Sequence, residues 1–159
     1  MKNSKLLVVV DESRATTKAL QYVARIAAGR PQFRVCLAHS FLSPPRQLVE
    51  FRGAEKRRLK AFESRWISAD AKTEQRALAR ANAVLRRGGL SRGAIEAHYC
   101  YLIDGSQATM EILRLARARK CDTVVIGKKS LSWLRELIDG NPAEELVRQG
   151  KGFTIWVIE

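Results

Sequence analysis

Long apolar runs are absent from this chain of 159 residues. A membrane-spanning helix needs about 20 consecutive apolar residues, whereas the run Leu6–Val10 ends after five residues at Asp11. The amino end, Met1–Lys5, is positively charged but lacks the longer apolar stretch and the cleavage site of a signal peptide. We therefore expect no membrane span, and the sequence predicts a cytoplasmic protein.

Metal-binding side chains are also scarce. The three cysteines, Cys36, Cys100 and Cys121, are widely spaced and form no C-x-x-C pair, and the two histidines, His39 and His98, lie on separate predicted strands. Zinc sites draw mainly on these residue types at short spacing. The sequence therefore predicts no metal site, and it predicts that the cysteines are small buried side chains in a reducing compartment.

Acidic residues are outnumbered, because 29 lysines and arginines stand against 16 aspartates and glutamates and give a net charge of +13. Residues 46–92 carry thirteen basic and five acidic side chains, while residues 93–159 carry nine of each. A basic segment can attract nucleic acid or another polyanion. Aromatic residues do not interleave with these arginines, so a solvated helix face is favoured over a nucleic-acid surface.

The apolar pattern predicts one domain over residues 1–159. Helical periodicity is strongest in a long basic segment over about 44–88, which exceeds the usual helix length and is expected to break near Gly53 or residues 64–68. Strands alternate with helices, which predicts an α/β fold with one doubly wound, five-stranded parallel sheet. The predicted strands, each a short apolar segment, are Lys5–Val10, Phe33–His39, Ile95–Ile103, Thr123–Ile126 and Phe153–Ile158.

A candidate ligand edge follows from this arrangement, because ligands of such sheets bind outside the carboxyl ends of the strands. Asp11 follows the first strand and Gly127 follows the fourth, so the two meet if these strands are neighbours. Asp11 can accept hydrogen bonds from a base or ribose, and the backbone that follows Gly127 can approach phosphate. Asp11 can equally serve as a turn or capping carboxylate, beside Ser13 as a helix cap.

Three segments, Val8–Ser13, Met110–Arg117 and Cys121–Gly127, resemble the universal stress protein family, and the resemblance covers nearly the whole chain. It implies a Rossmann-like sheet of the adenine nucleotide alpha hydrolase type, with strand order 3-2-1-4-5. It also implies a small, non-catalytic binding or regulatory module of the stress response. The resemblance further implies a homodimer that forms through the last strand, Phe153–Ile158.

Family members that bind ATP or AMP carry G-x-x-G, nine further residues, and then G-S or G-T. In this chain Gly127, Ser130, Gly140 and Asn141 stand at the four positions, so the spacing is kept while two residue types differ. A side chain at Ser130 limits the approach of a phosphate to the backbone. Asn141 can donate its amide to a phosphate, but it also precedes Pro142 as a suitable helix cap.

Two other positions complete the prediction. Lys128 can offer its ammonium group to a phosphate or can be a solvated loop lysine, and Ser40 stands where the family usually has an apolar adenine contact. The resemblance thus implies ATP or AMP as ligand, with no catalytic residue and no metal. The candidate contacts are Asp11, Ser40, Gly127, Lys128, Ser130, Gly140 and Asn141.

A nucleotide-binding enzyme of the same α/β superfamily is the alternative. Such enzymes need a glycine-rich phosphate loop directly after the first strand, whereas this chain has Asp11–Arg14 there and no glycine before Gly29. We therefore do not expect an enzyme.

Overall fold

The computed structural model describes residues 3–42, 72, 75–102, 108–132 and 140–159. Nine helices and strands alternate along these residues: β1 Ser4–Val10, α1 Arg14–Ala27, β2 Phe33–Leu42, α2 over 75–87, β3 Ile95–Leu102, α3 Ala108–Ala118, β4 Thr123–Gly127, α4 Pro142–Gln149 and β5 Thr154–Ile158. A 3-10 turn, Arg92–Ala94, precedes β3. None of the described helices is long and apolar enough to cross a membrane.

The sheet has five parallel strands in the order β3-β2-β1-β4-β5, which confirms the predicted topology. β1 is central, and its side chains alternate between the two faces, as a strand buried on both sides requires. Leu7 and Val9 pack with α3 and α4, whereas Leu6, Val8 and Val10 pack with α1 and α2. The core therefore consists of two apolar layers, one on each face of the sheet.

Local signals explain where α1 begins and ends. Ser13 caps the helix, because its side-chain oxygen accepts a hydrogen bond from the N–H of Thr16 at 3.2 Å. The helix ends at Ala27, and Gly29 then adopts a φ of +67°. The apolar stripe of α1 is buried against the sheet, as its helical spacing predicts.

Four described strand boundaries differ from the sequence prediction. β1 begins one residue earlier, at Ser4, and β5 begins one residue later, at Thr154. β2 continues to Leu42 instead of ending at His39, because its backbone stays paired with β3 from Val35 to Leu42, so Ser40 lies within the strand rather than after it. β4 includes Gly127, which pairs with Ile158 of β5. Of the basic segment predicted over 44–88, residues 75–87 are helical. The break expected near Gly53 or residues 64–68 lies outside the described residues.

Candidate functional site

The carboxyl ends of β1 and β4 lie side by side, as the candidate site requires. The two strands pair between Leu6 and Val8 on one side and Thr123 and Val125 on the other. Asp11 therefore emerges beside Gly127 at the same edge of the sheet. The structure thus brings together the two residues on which the predicted ligand edge depended.

Gly127 is required by packing against α1. A Cβ at this position would lie 2.6 Å from the carbonyl carbon and oxygen of Ala15, and 2.6 Å from the Oγ of Ser130. The first two atoms belong to a helix backbone and cannot move away cheaply. The first glycine of the predicted phosphate loop therefore lets the loop pack closely on the start of α1.

The carboxylate of Asp11 is occupied by hydrogen bonds within the protein. Its Oδ1 accepts from the N–H of Ser13 at 2.8 Å and from the hydroxyl of Thr16 at 2.6 Å. Its Oδ2 accepts from the N–H of Leu131 at 2.6 Å. Asp11 thus joins the end of β1, the start of α1 and the loop after β4, which corresponds to the turn and capping role that the sequence left open.

Ser130 faces the protein interior. Its side chain is buried, with 1% of the residue exposed, and its Oγ lies 3.1 Å from the Oγ1 of Thr16. Thr16 has one hydroxyl proton and gives it to Asp11, so Ser130 must be the donor in the contact with Thr16. The hydroxyl that replaces the family glycine therefore closes a network that runs from Ser130 through Thr16 to Asp11.

Thr16 and Leu131 are central to this network, yet the motif did not identify them. Thr16 is 2% exposed, and its Oγ1 also accepts the backbone N–H of Asp11 at 3.2 Å. The sequence feature that could have identified Thr16 is its position three residues after the helix cap Ser13. Leu131 is fully buried with a φ of +57°, which few residues other than glycine adopt, and sequence pattern gives no sign of it.

Lys128 links the loop to the end of the sheet. Its backbone N–H donates to the carbonyl of Ile158 at 2.7 Å, and its ammonium group pairs with the carboxylate of Glu159. The carboxylate of Glu159 raises the pKa of Lys128, and in turn the ammonium group lowers the pKa of Glu159. Both side chains are exposed, so a phosphate can compete with Glu159 for the lysine.

Asn141 caps α4. Its Oδ1 accepts the N–H of Ala143 at 2.9 Å, and its Nδ2 donates to the carbonyl of Lys128 at 3.3 Å. Gly140 precedes it with a φ of +129°, a conformation that side chains rarely permit. The capping role proposed from sequence is therefore present, and it engages both polar atoms of the Asn141 side chain.

A cationic cleft of about 730 Å³ opens beside this network. Within the described part of the chain, four exposed basic side chains and one carboxylate side chain, that of Glu159, line it. The first turn of α1, whose N–H groups give the helix a partly positive end, borders the cleft and contains no acidic residue. The basic residues of this cationic cleft are Arg14, Lys18, Lys128 and Lys129.

Of the predicted contacts, Lys128 is the residue that lines the cationic cleft. The backbone of Ser40 pairs with Cys100 within the sheet, and its side chain lies outside the described part of the chain. Asn141 and Lys128 also line a smaller cavity of about 220 Å³ between α4 and β5. The motif therefore indicated the edge of the sheet at which the cationic cleft opens, but not the four basic side chains together.

The sequence model of the universal stress protein family matches residues 2–152. The chain belongs to the universal stress protein family. This confirms the resemblance seen in the sequence. No curated protein matches the chain.

Solved structures show the same fold at low sequence identity. Hypothetical protein MJ0577 is 16% identical with a TM-score of 0.71, and the match covers 99% of this chain and 96% of that one. A universal stress protein in complex with cAMP is 18% identical with a TM-score of 0.61, over 100% and 98% of the two chains. The universal stress protein from Archaeoglobus fulgidus in complex with dAMP is 18% identical with a TM-score of 0.58, over 100% of both chains.

Proposed function

We propose that this protein is a non-catalytic, cytoplasmic universal stress protein that binds ATP or AMP at the cationic cleft, as a small regulatory module of the stress response. The observation that carries the proposal is the convergence of Arg14, Lys18, Lys128 and Lys129 on one cleft beside the start of α1. Two universal stress proteins of the same fold were crystallised with cAMP and dAMP. Adenine nucleotides are therefore the ligand class that fits both the charge and the family.

The phosphates would be held by side chains rather than by a glycine loop. Ser130 and Asp11 are bonded to each other through Thr16, so the backbone after Gly127 stays packed on α1. Lys128 and Lys129 project from this fixed turn into the cleft. Ammonium groups bind phosphate as point charges, so affinity should increase with the number of phosphate charges.

The side chains of the cleft support a non-catalytic role. Hydrolysis requires a group that orients or deprotonates the attacking water, or a held metal ion. Among the described residues that line the cationic cleft, Glu159 carries the one carboxylate side chain, and it is exposed and paired with Lys128. Asp11 already accepts three hydrogen bonds within the protein.

Calorimetric titration of the full chain with ATP and with AMP tests the proposal. The double substitution Lys128→Gln and Lys129→Gln should weaken ATP binding by at least about tenfold, with a smaller effect on AMP, because it removes two charges that face phosphate. Lys151→Gln is the matched control. This exposed lysine lies in the turn before β5, at the amino-terminal end of the strand, whereas the cationic cleft lies at the carboxyl ends of the strands. ATP binding that is absent at millimolar concentration, or unchanged in the double variant, would contradict the proposal.

The same preparation tests the non-catalytic part. Incubation with Mg-ATP should release no phosphate above the background of buffer. Release that depends on protein concentration and is lost in the double variant would show an enzyme instead.

We also propose a homodimer through Phe153–Ile158. Within the described residues β5 pairs with β4 alone, which leaves a row of backbone donors and acceptors at its other edge. Val157 on this strand is 37% exposed. Sedimentation at micromolar concentration should give twice the chain mass, and a monomer would count against this interface.

Nucleic-acid binding through residues 46–92 is not favoured. Much of this segment lies outside the described residues, so its case still rests on the charge excess alone.

A further inference from the structure

Three side chains of types that commonly bind metal ions lie together on the sheet face that α3 and α4 cover. Cys36 on β2 is the register partner of Glu96 on β3, and His98 follows two residues later on the same face. The ligand atoms of these three residues all lie within 4.8 Å of one another. They are brought together by strand pairing, which the spacing of the residues along the chain does not reveal.

The distances are close to those of a tetrahedral metal site. The Nε2 of His98 lies 3.1 Å from the Oε2 of Glu96. Two ligands of a tetrahedral Zn²⁺ with bonds of about 2.0–2.2 Å are roughly 3.3–3.6 Å apart. Movements of little more than about 1 Å, which side-chain rotation can supply, would therefore bring the cluster to metal-binding geometry.

Cys121 is a candidate fourth ligand, although its Sγ is not among the three ligand atoms that lie within 4.8 Å of one another. Cys121 and Cys36 both belong to the core layer under α3 and α4. Interaction with Cys121, together with burial, raises the pKa of Cys36, while the interaction with Cys36 lowers the pKa of Cys121. Thiols release their protons when they bind Zn²⁺, so metal binding at these sulfurs would release protons to solvent.

Lys5 balances the charge of such a site. Its ammonium group pairs with Glu96, and this contact, followed by that of His98, lowers the pKa of the carboxyl group. Two thiolates and one carboxylate around a divalent ion leave one negative charge, which the neighbouring ammonium group offsets. Glu96 and His98 are half-buried, so the ion has a path from solvent, whereas the two sulfurs are buried.

We propose that Cys36, Glu96, His98 and Cys121 form a binding site for Zn²⁺. Thiolate and imidazole ligands suit this borderline ion and disfavour Mg²⁺ and Ca²⁺, which take oxygen ligands. The site is separate from the cationic cleft, because it lies on a face of the sheet rather than at its carboxyl edge, and it does not depend on nucleotide binding.

Titration of the reduced, chelator-treated full chain with Co²⁺ tests the site. Cobalt replaces zinc with the same geometry and adds a thiolate-to-metal absorption band. We expect one Co²⁺ per chain with this band, displaced by Zn²⁺. Cys36→Ser and His98→Gln should each weaken Zn²⁺ binding by at least about tenfold. Cys100→Ala removes the buried thiol on β3, which is not part of the proposed site, and this variant should retain the band.

Two results would overturn the proposal. One is the absence of a thiolate band in the wild-type chain, and the other is a band that survives both Cys36→Ser and His98→Gln. Because Cys36 is fully buried and its replacement can unfold the chain, His98→Gln provides the independent variant. Circular dichroism of each variant verifies that it is folded.

Discussion

Asp11 and Leu131 are 120 residues apart in sequence, and the carboxylate of the first accepts the backbone N–H of the second at 2.6 Å. This hydrogen bond holds Leu131 at a φ of +57° with its side chain fully buried. The end of the central strand thereby fixes the loop that follows β4. Asp11 and Ser130 were predicted to contact a nucleotide, and in the structure both form hydrogen bonds within the protein.

We expect Asp11→Asn to destabilise the protein by about 1–3 kcal/mol, because the amide offers one oxygen for three donors and places an NH₂ group against a backbone N–H. Urea unfolding of the variant measures this loss. Glu12→Gln is the control, since Glu12 is exposed and should leave the unfolding midpoint unchanged. Equal stability of Asp11→Asn and the wild type would show that the network contributes nothing.

Ser130→Gly restores the family pattern and should have opposite effects on stability and binding. The variant loses the buried hydrogen bond from Ser130 to Thr16, and glycine costs more entropy to order, so we expect a loss of about 1–2 kcal/mol. The loop should gain freedom to approach a phosphate, and ATP affinity measured by calorimetry should rise. If the variant loses stability without any gain in ATP affinity, the phosphates contact the lysine side chains and not the loop backbone.

The sequence was sufficient to predict the fold for a physical reason. A strand buried on both faces, such as Leu6–Val10, has to be apolar at every position, and this pattern is visible without any knowledge of the contacts. The order of the strands came from the family resemblance. The end of β2 was placed too early because polar His39 and Ser40 interrupt the apolar run, although pairing with β3 continues through them.

The candidate site was less predictable, because its chemistry depends on where side chains point. The spacing from Gly127 to Asn141 indicated the edge at which the cationic cleft opens, but it could not show that Ser130 turns inward to Thr16. The convergence of Arg14 and Lys18 with the loop lysines depends on the packing of α1 against β4. Such contacts between distant segments leave no local pattern in a single sequence.

Gly127→Ala should destabilise the chain by about 1–3 kcal/mol or more, because the added methyl group meets the carbonyl of Ala15 at 2.6 Å. Gly93→Ala is the matched control, since nothing lies within 4 Å of its added Cβ and its φ is not positive. Thermal unfolding of the two variants makes the comparison. If both melt at the same temperature, the close packing of the loop on α1 is not a source of stability.

Asn141→Ala distinguishes capping from ligand binding. Loss of the cap on α4 should cost about 0.5–2 kcal/mol, and thermal unfolding should show this in the absence of nucleotide. Because both polar atoms of the Asn141 side chain bond within the protein, ATP affinity should change little. A fall in affinity of tenfold or more with unchanged stability would instead identify Asn141 as a phosphate contact.

Glu96 should make stability depend on pH. Lys5 and then His98 lower its folded pKa below the ordinary value of 4.5, so its contribution is present above that pH and is lost as the pH falls through the folded pKa. The side chain is 39% exposed, so screening limits the contribution to less than about 1 kcal/mol. Denaturant unfolding with chelator present, from neutral to acidic pH, should therefore show a shallower acid loss of stability for Glu96→Gln than for the wild type. Glu12→Gln should follow the wild-type curve, and an identical acid slope for Glu96→Gln would show that Lys5 and His98 contribute nothing through this carboxylate.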